Sequence, residues 1–411
     1  MDGFLKNINL FKQNWTAYIC RMLSIPKMSV VWLCLFFSKL PAQSFEGKTI
    51  KSSTISAKNI SAFELYNAKG KKISYAQLLK SLKAKITSHS QTSTVLLFGE
   101  LHDNPIVHWL QIQISSDLYR INSNMVLGAE MFETNQQMAL DEYLHPSDSG
   151  QATEKIMNPM GSMTGDDPAY TTLKKSIKLW PNYKTDYAPL LNFAKENGLP
   201  FIATNIPRKY ANLVYRGDFK ALDTLPPDQK KLFPNLPIYY DSTLRCYKDI
   251  FMATGGHGGQ NLPKSQAIKD ATMAWKIWSN LPQPSYGIPK ISSESSNVSA
   301  SHPLHLHLHL HLRRGGASDP SNQKKSNTVV GGIFIHYNGT YHSDHYESIS
   351  WYLRKEEEAR NAVIVCKEIP KPIHIITIAS RLQDAVKPLE KENINIADFI
   401  IVIPTNMTRT Y

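Results

Sequence analysis

Six side chains carry the chemistry that this sequence could perform: Glu100, His102, His108, Glu130, His257 and His342. Imidazole and carboxylate are the donors of a divalent-metal site. The same groups serve general acid–base catalysis. His102 and His108 stand six residues apart across an expected helix start, so they need not share a ligand. The tight His-Glu-x-x-His spacing of a helical zinc site is absent. So are the Gly-x-Ser-x-Gly elbow, the phosphate loop and the dinucleotide fingerprint. A second donor type is tyrosine, concentrated with Met and Trp in residues 157–187, where Met157, Met160, Met163, Trp180, Tyr183 and Tyr187 occur. Tyrosinate can ligate ferric haem, and basic residues can pair with haem propionates.

The elements that position the acidic groups can be read from local pattern. Val95 to Phe98 is a short apolar run bounded by polar residues and Gly, which predicts a buried strand. Asn104-Pro105 then supplies an N-cap and a first helical residue. The apolar spacing from Ile106 to Leu118 predicts a helix reaching about Arg120. Met125 to Ala129 is the next strand. Strand, helix, strand makes a βαβ unit with parallel strands. The expectation is that Glu100, His102 and Glu130 meet at the carboxyl ends of adjacent strands, where open α/β sheets place ligands.

Helix and strand alternate through most of the remainder. Helices are expected at Tyr75–Leu82, Asn135–Leu144, Pro189–Asn197 and Lys264–Ser279, with a further one around Trp351–Lys355. Strands are expected at Leu199–Thr204, Gly332–Tyr337, Ala362–Cys366, Ile373–Ile378 and Phe399–Ile403, with Asn338-Gly339 as a turn. This is an α/β fold: a mostly parallel central sheet, helices on both faces and a small helical lobe at 145–186. His257 lies among Gly255, Gly256, Gly258 and Gly259, which let backbone approach a ligand closely.

The chain divides into a targeting segment (1–43), a first part of the domain (44–281), an insertion (282–328) and the remainder (329–411). Arg21 and Lys27 precede an apolar core, Met28 to Phe37, and small residues follow near Ala42, the pattern of an export signal. Trp32 and Leu33 precede Cys34 where a lipid anchor expects small residues. Of the four cysteines, Cys20 and Cys34 fall in this segment; Cys246 and Cys366 could form a disulfide or stay as buried thiols. The insertion is rich in Ser, Pro and Gly and contains His305-Leu-His-Leu-His-Leu-His311, which suits either metal capture or an unstructured segment. A net charge of +12 is spread along the chain without a basic, aromatic-interleaved run, so a nucleic-acid partner is not expected.

Four motifs occur in order: Phe98-Gly-Glu-Leu-His-Asp-Asn-Pro105, Gly128-Ala-Glu-Met-Phe132, Gly256-His-Gly-Gly259 with Gln266 to Ala274, and Asn338-Gly-Thr-Tyr-His-Ser-Asp344. They resemble the ChaN-like haem-binding lipoproteins of the superfamily that includes the Tiki and TraB proteins. The resemblance implies an exported protein of iron acquisition, periplasmic or outer-membrane-associated. It implies haem held by tyrosine ligation between two subunits, with an outer-membrane haem receptor as a possible partner. Tyr183 or Tyr187 would then be the axial ligand and His257 a pocket residue. The superfamily also implies an alternative: a metal-dependent hydrolase using Glu100, His102, Glu130 and His342, of which Gly99-Glu-Leu-His102 fits the Gly-x-x-His motif.

Overall fold

The computed structural model describes residues 61–89, 92–146, 168–253, 259–283, 285–286, 329–363 and 372–411. The targeting segment, the three methionines at 157–163, His257 with Gly255, Gly256 and Gly258, Cys366 and nearly all of the insertion lie outside the described residues.

The elements follow in chain order. β1 (Glu64–Asn67) and β2 (Lys72–Ile73) form a hairpin, followed by α1 (Tyr75–Ser88), β3 (Thr94–Glu100), α2 (Pro105–Ile121) and β4 (Met125–Glu133). Then come α3 (Gln137–Leu144), α4 (Pro168–Ser176), a π-helical turn (Tyr183–Tyr187), α5 (Ala188–Glu196), β5 (Phe201–Asn205) and α6 (Arg208–Gly217). α7 (Pro227–Lys230), α8 (Arg245–Ala253) and α9 (Asn261–Ser279) lead to the short pair β6 (Ser285–Tyr286) and β7 (Val329–Val330). β8 (Ile333–Gly339), α10 (Ile349–Val363), β9 (His374–Gln383) and β10 (Phe399–Pro404) complete the chain.

The local reasons are those the residues suggested. The Asn104 side chain accepts from the backbone N–H of Ile106 and Val107, both at 3.1 Å, with Pro105 opening α2. Ser74 and Gln77 form a reciprocal capping box at α1. After α5 the chain turns at Gly198, whose φ of +62° suits glycine.

Eight strands form one sheet in the order β2-β1-β10-β9-β3-β8-β4-β5. All pairings from β10 to β5 are parallel; β1 alone runs antiparallel to its neighbours, β10 on one side and β2 on the other. Alternate residues of β3 divide between two layers. Leu96 and Phe98 pack with α1, α2 and α5; Val95 and Leu97 pack with α8, α9 and α10. Both faces are thus covered, and the central strands read as continuous apolar runs because neither face meets water.

Three sequence expectations change. β3 and β4 are parallel but not adjacent, because β8 lies between them and pairs with both. Asn338 and Gly339 are the buried last residues of β8 rather than a turn; Asn338 donates to the Gly339 carbonyl at 2.9 Å and to Ser343 Oγ at 3.0 Å. Ala362 and Val363 continue α10 instead of starting a strand. Among the described residues no helix is long and apolar enough to cross a membrane.

Candidate functional site

The carboxyl ends of β3, β8 and β4 lie side by side. Glu100, the last residue of β3, is in register with Gly339, the last of β8, and Glu130 follows Ala129, which pairs with Tyr337. Glu100, His102, Glu130 and His342 all line one cleft of about 690 Å³ above these ends. Sequence spacing could not show that His342 closes the group. The intervening β8 delivers it from the turn beyond Gly339.

The four residues form two ion pairs. In the first, His102 Nδ1 lies 2.9 Å from Glu100 Oε1. Glu100 is fully buried and also accepts from Gln111 at 2.7 Å and from the Tyr187 hydroxyl at 2.9 Å. Burial pushes this carboxyl up, but the His108 imidazole and the bond to His102 outweigh it and hold the group below its ordinary value. His102 is driven down by burial and, more strongly, up by Glu100, so it rises overall. Its ring lies edge-on to Trp180 at 5.0 Å, and Nε2 points at Gly339. A Cβ on Gly339 would sit 2.8 Å from that nitrogen, so the close approach requires glycine.

In the second pair, His342 Nδ1 lies 2.5 Å from Asp270 Oδ1 and Nε2 lies 3.3 Å from Glu130 Oε1. Glu130 also accepts from the Gly339 N–H at 2.7 Å, and Asp270 accepts from the Tyr247 hydroxyl at 2.9 Å. Burial disfavours the charge on His342, but the two carboxylates raise it to about 10. Glu130 is correspondingly held far below its usual range despite burial. Asp270 is raised, because burial and the neighbouring Glu130 charge exceed what His342 and Tyr247 return. At neutral pH the centre of the site is therefore a protonated imidazole between two acidic groups.

This geometry assigns the expected site residues differently from one another. Among the described residues no group of three or more His, Cys, Asp or Glu side chains is disposed to hold a metal ion. Glu100, His102, Glu130 and His342 share the cleft as two pairs, not as one ligand set around a point. Tyr187 is buried, with its hydroxyl committed to Glu100; the acidic neighbours and burial raise it far above its ordinary value. Tyr183 is buried and stacked on Tyr170 at 5.8 Å, and its hydroxyl has no hydrogen-bond partner among the described residues. Burial raises it too. Neither phenol lines this cleft, and burial disfavours the tyrosinate form of both. His257 lies outside the described residues.

The phenols that do line the cleft are Tyr341 and Tyr411, 65% and 61% exposed. The 409–411 segment is tied across the cleft edge: Arg409 pairs with Asp103 at 2.8 Å, and Thr410 donates to Asp186 at 2.7 Å. Leu101, Ile250, Ala253, Leu262 and Leu382 form apolar walls. Sequence reasoning missed Asp270, Lys269, Tyr341 and the 409–411 segment. Asp270 did carry a signal: it falls on the apolar side of α9 next to Ala267, Ala271 and Ala274, where an unpartnered carboxylate would be costly.

Fold and site together define an open α/β protein with a carboxylate–imidazole cleft at the carboxyl ends of a mostly parallel sheet. The model of the family described as haem-binding uptake, Tiki superfamily, ChaN matches residues 86–289 of this chain. Two solved structures are similar. One, titled as cofacial heme binding to ChaN of Campylobacter jejuni, has 14% identity and a TM-score of 0.46 and covers 83% of this chain and 96% of that one. The other, a Bacillus cereus protein, has 10% identity and a TM-score of 0.34 and covers 83% of this chain and 94% of its own. No curated protein matches.

Proposed function

We propose that this protein binds haem in the cleft above β3, β8 and β4, as an exported component of iron acquisition. The observation that carries the reading is the cleft itself, within a chain matched by the haem-binding family model. It has apolar walls for a porphyrin and an exposed phenol, Tyr341, on its lining. Its volume lies within the range of small-molecule sites. The donor set fits. A tyrosine oxygen is a ligand for ferric iron, and His342 and Asp270 are too engaged with each other to compete for it. Tyr341 would hold the iron; Leu101, Ile250, Leu262 and Leu382 would exclude water from the porphyrin faces. The iron would supply the ligand-dependent absorption by which binding is read.

Titration with ferric haem followed by absorption tests this. A saturable complex is expected, and Tyr341→Phe should change its spectrum while Tyr183→Phe and Tyr187→Phe leave the ligand bands in place. Absence of a saturable complex refutes the reading; an unchanged spectrum in Tyr341→Phe refutes the ligand assignment. Export predicts a mature N-terminus near Gln43 or Ser44, read by N-terminal sequencing, and an intact cytosolic start would refute it. Haem shared between two subunits predicts that mass in light scattering doubles on loading; a constant mass would exclude it.

One observation favours a second reading, hydrolysis: Glu100 orients His102 so that Nε2, unbonded among the described residues, faces the cleft as a general base would. Turnover of a simple ester that is lost in His102→Gln would support it, and turnover unaffected by that change would remove it.

A further inference from the structure

The cleft holds one ammonium group that no described residue binds. Five carboxylates line it, and each already has partners. Glu100 is bound by His102, Gln111 and Tyr187. Glu130 is bound by the Gly339 N–H and His342, and Asp270 by His342 and Tyr247. At the edges, Asp103 pairs with Arg409 at 2.8 Å and Asp249 with Arg245 at 3.1 Å. The remaining charged lining residue is Lys269 on α9. It is half-buried, and no described residue forms an ion pair or hydrogen bond with its ammonium group. Its charge is felt at Glu130, whose carboxyl it helps to hold low, but Glu130 takes its bonds from elsewhere.

An ammonium group offers three donors. It stands half-buried beside Ile250, Ala253 and Leu262, and these donors are unused among the described residues. An anionic group entering the cleft would form a charge-assisted bond with it and take nothing from the existing pairs. The position also fits: Lys269 lines the cleft and its charge reaches Glu130, the partner of His342, so an anion bound there lies near that pair.

We propose that Lys269 is the seat of a ligand carboxylate in this cleft. Resting on the haem reading, the group it takes is a porphyrin propionate, which fixes the edge by which the macrocycle enters. Lys269 is then an orienting residue distinct from the iron ligand.

The test compares ferric haem with its dimethyl ester, which keeps the iron and the ring but lacks both carboxylates. Wild-type protein, Lys269→Met and Lys269→Arg are titrated with each porphyrin. Wild type should bind haem about tenfold more tightly than the ester, the size expected for one charge-assisted bond. Lys269→Met should bind haem only as tightly as the ester, and Lys269→Arg should keep the preference. Retained secondary structure and ester binding by Lys269→Met would show that the variant is folded. Equal affinity of wild type for the two porphyrins, or a preference that survives in Lys269→Met, overturns the assignment and leaves haem binding standing. Binding of neither porphyrin by wild type overturns both.

Discussion

His342 is the residue whose removal should be felt most. It lies largely buried between Glu130 and Asp270, its side chain 11% exposed, and its imidazole is raised from 6.5 to about 10. A group whose folded value is raised contributes stability that is fully present below the unfolded value and lost as pH rises through the folded one. Here that window runs from about pH 6.5 to about pH 10. At ~1.4 kcal/mol per unit, the span between the two values gives at most about 5 kcal/mol. Removing one partner from a buried ion pair costs roughly 3–5 kcal/mol, so the two routes agree. The perturbation is His342→Gln, which keeps a polar side chain of similar reach and removes the charge. Urea unfolding of both proteins from pH 6 to 10.5 is the assay. Lysines, tyrosines and Cys246 titrate in both, so the difference between the curves isolates His342. The variant should be several kcal/mol less stable at pH 7, and the gap should close toward pH 10. A gap that stays constant over that range would refute the account of a charged imidazole. A gap that widens would mean that the imidazole is neutral in the fold.

The two buried tyrosines should behave oppositely. Tyr187→Phe removes a donor from the buried Glu100 carboxylate and should cost about 1–3 kcal/mol in thermal or urea unfolding. Tyr183→Phe removes a buried hydroxyl that has no partner among the described residues and should be neutral or slightly stabilising; an equal loss for both would contradict the hydrogen-bond assignment. The insertion should be dispensable. β6 and β7 pair in antiparallel register at its two ends, Ser285 with Val330 and Tyr286 with Val329, so a two-residue Asn-Gly loop can replace 287–328. The thermal transition should move by no more than a few degrees, and a large fall would show that the segment contributes to packing.

The sequence carried what is local. Apolar runs of four or five residues marked β3, β4 and β10, because strands buried on both faces leave no polar alternation. Asn104-Pro105 fixed the start of α2, because the Asn104 side chain accepts from backbone N–H groups only two and three residues on. It followed that Glu100 and Glu130 stand at strand ends, since those residues close or follow the runs themselves. Strand order was not legible. β8 enters between β3 and β4 from more than 190 residues away in sequence, and the apolar pattern of a strand says nothing of which neighbour it will pair with. Partner choice was equally hidden. Tyr187 looked like a free ligand until the fold set its hydroxyl against Glu100, and Asp270 acquired meaning only when α9 brought it to His342. Ionisation followed the same division. Residue type fixes the ordinary value, but burial and the particular neighbour decide its direction, and both are products of contacts between segments far apart in the chain.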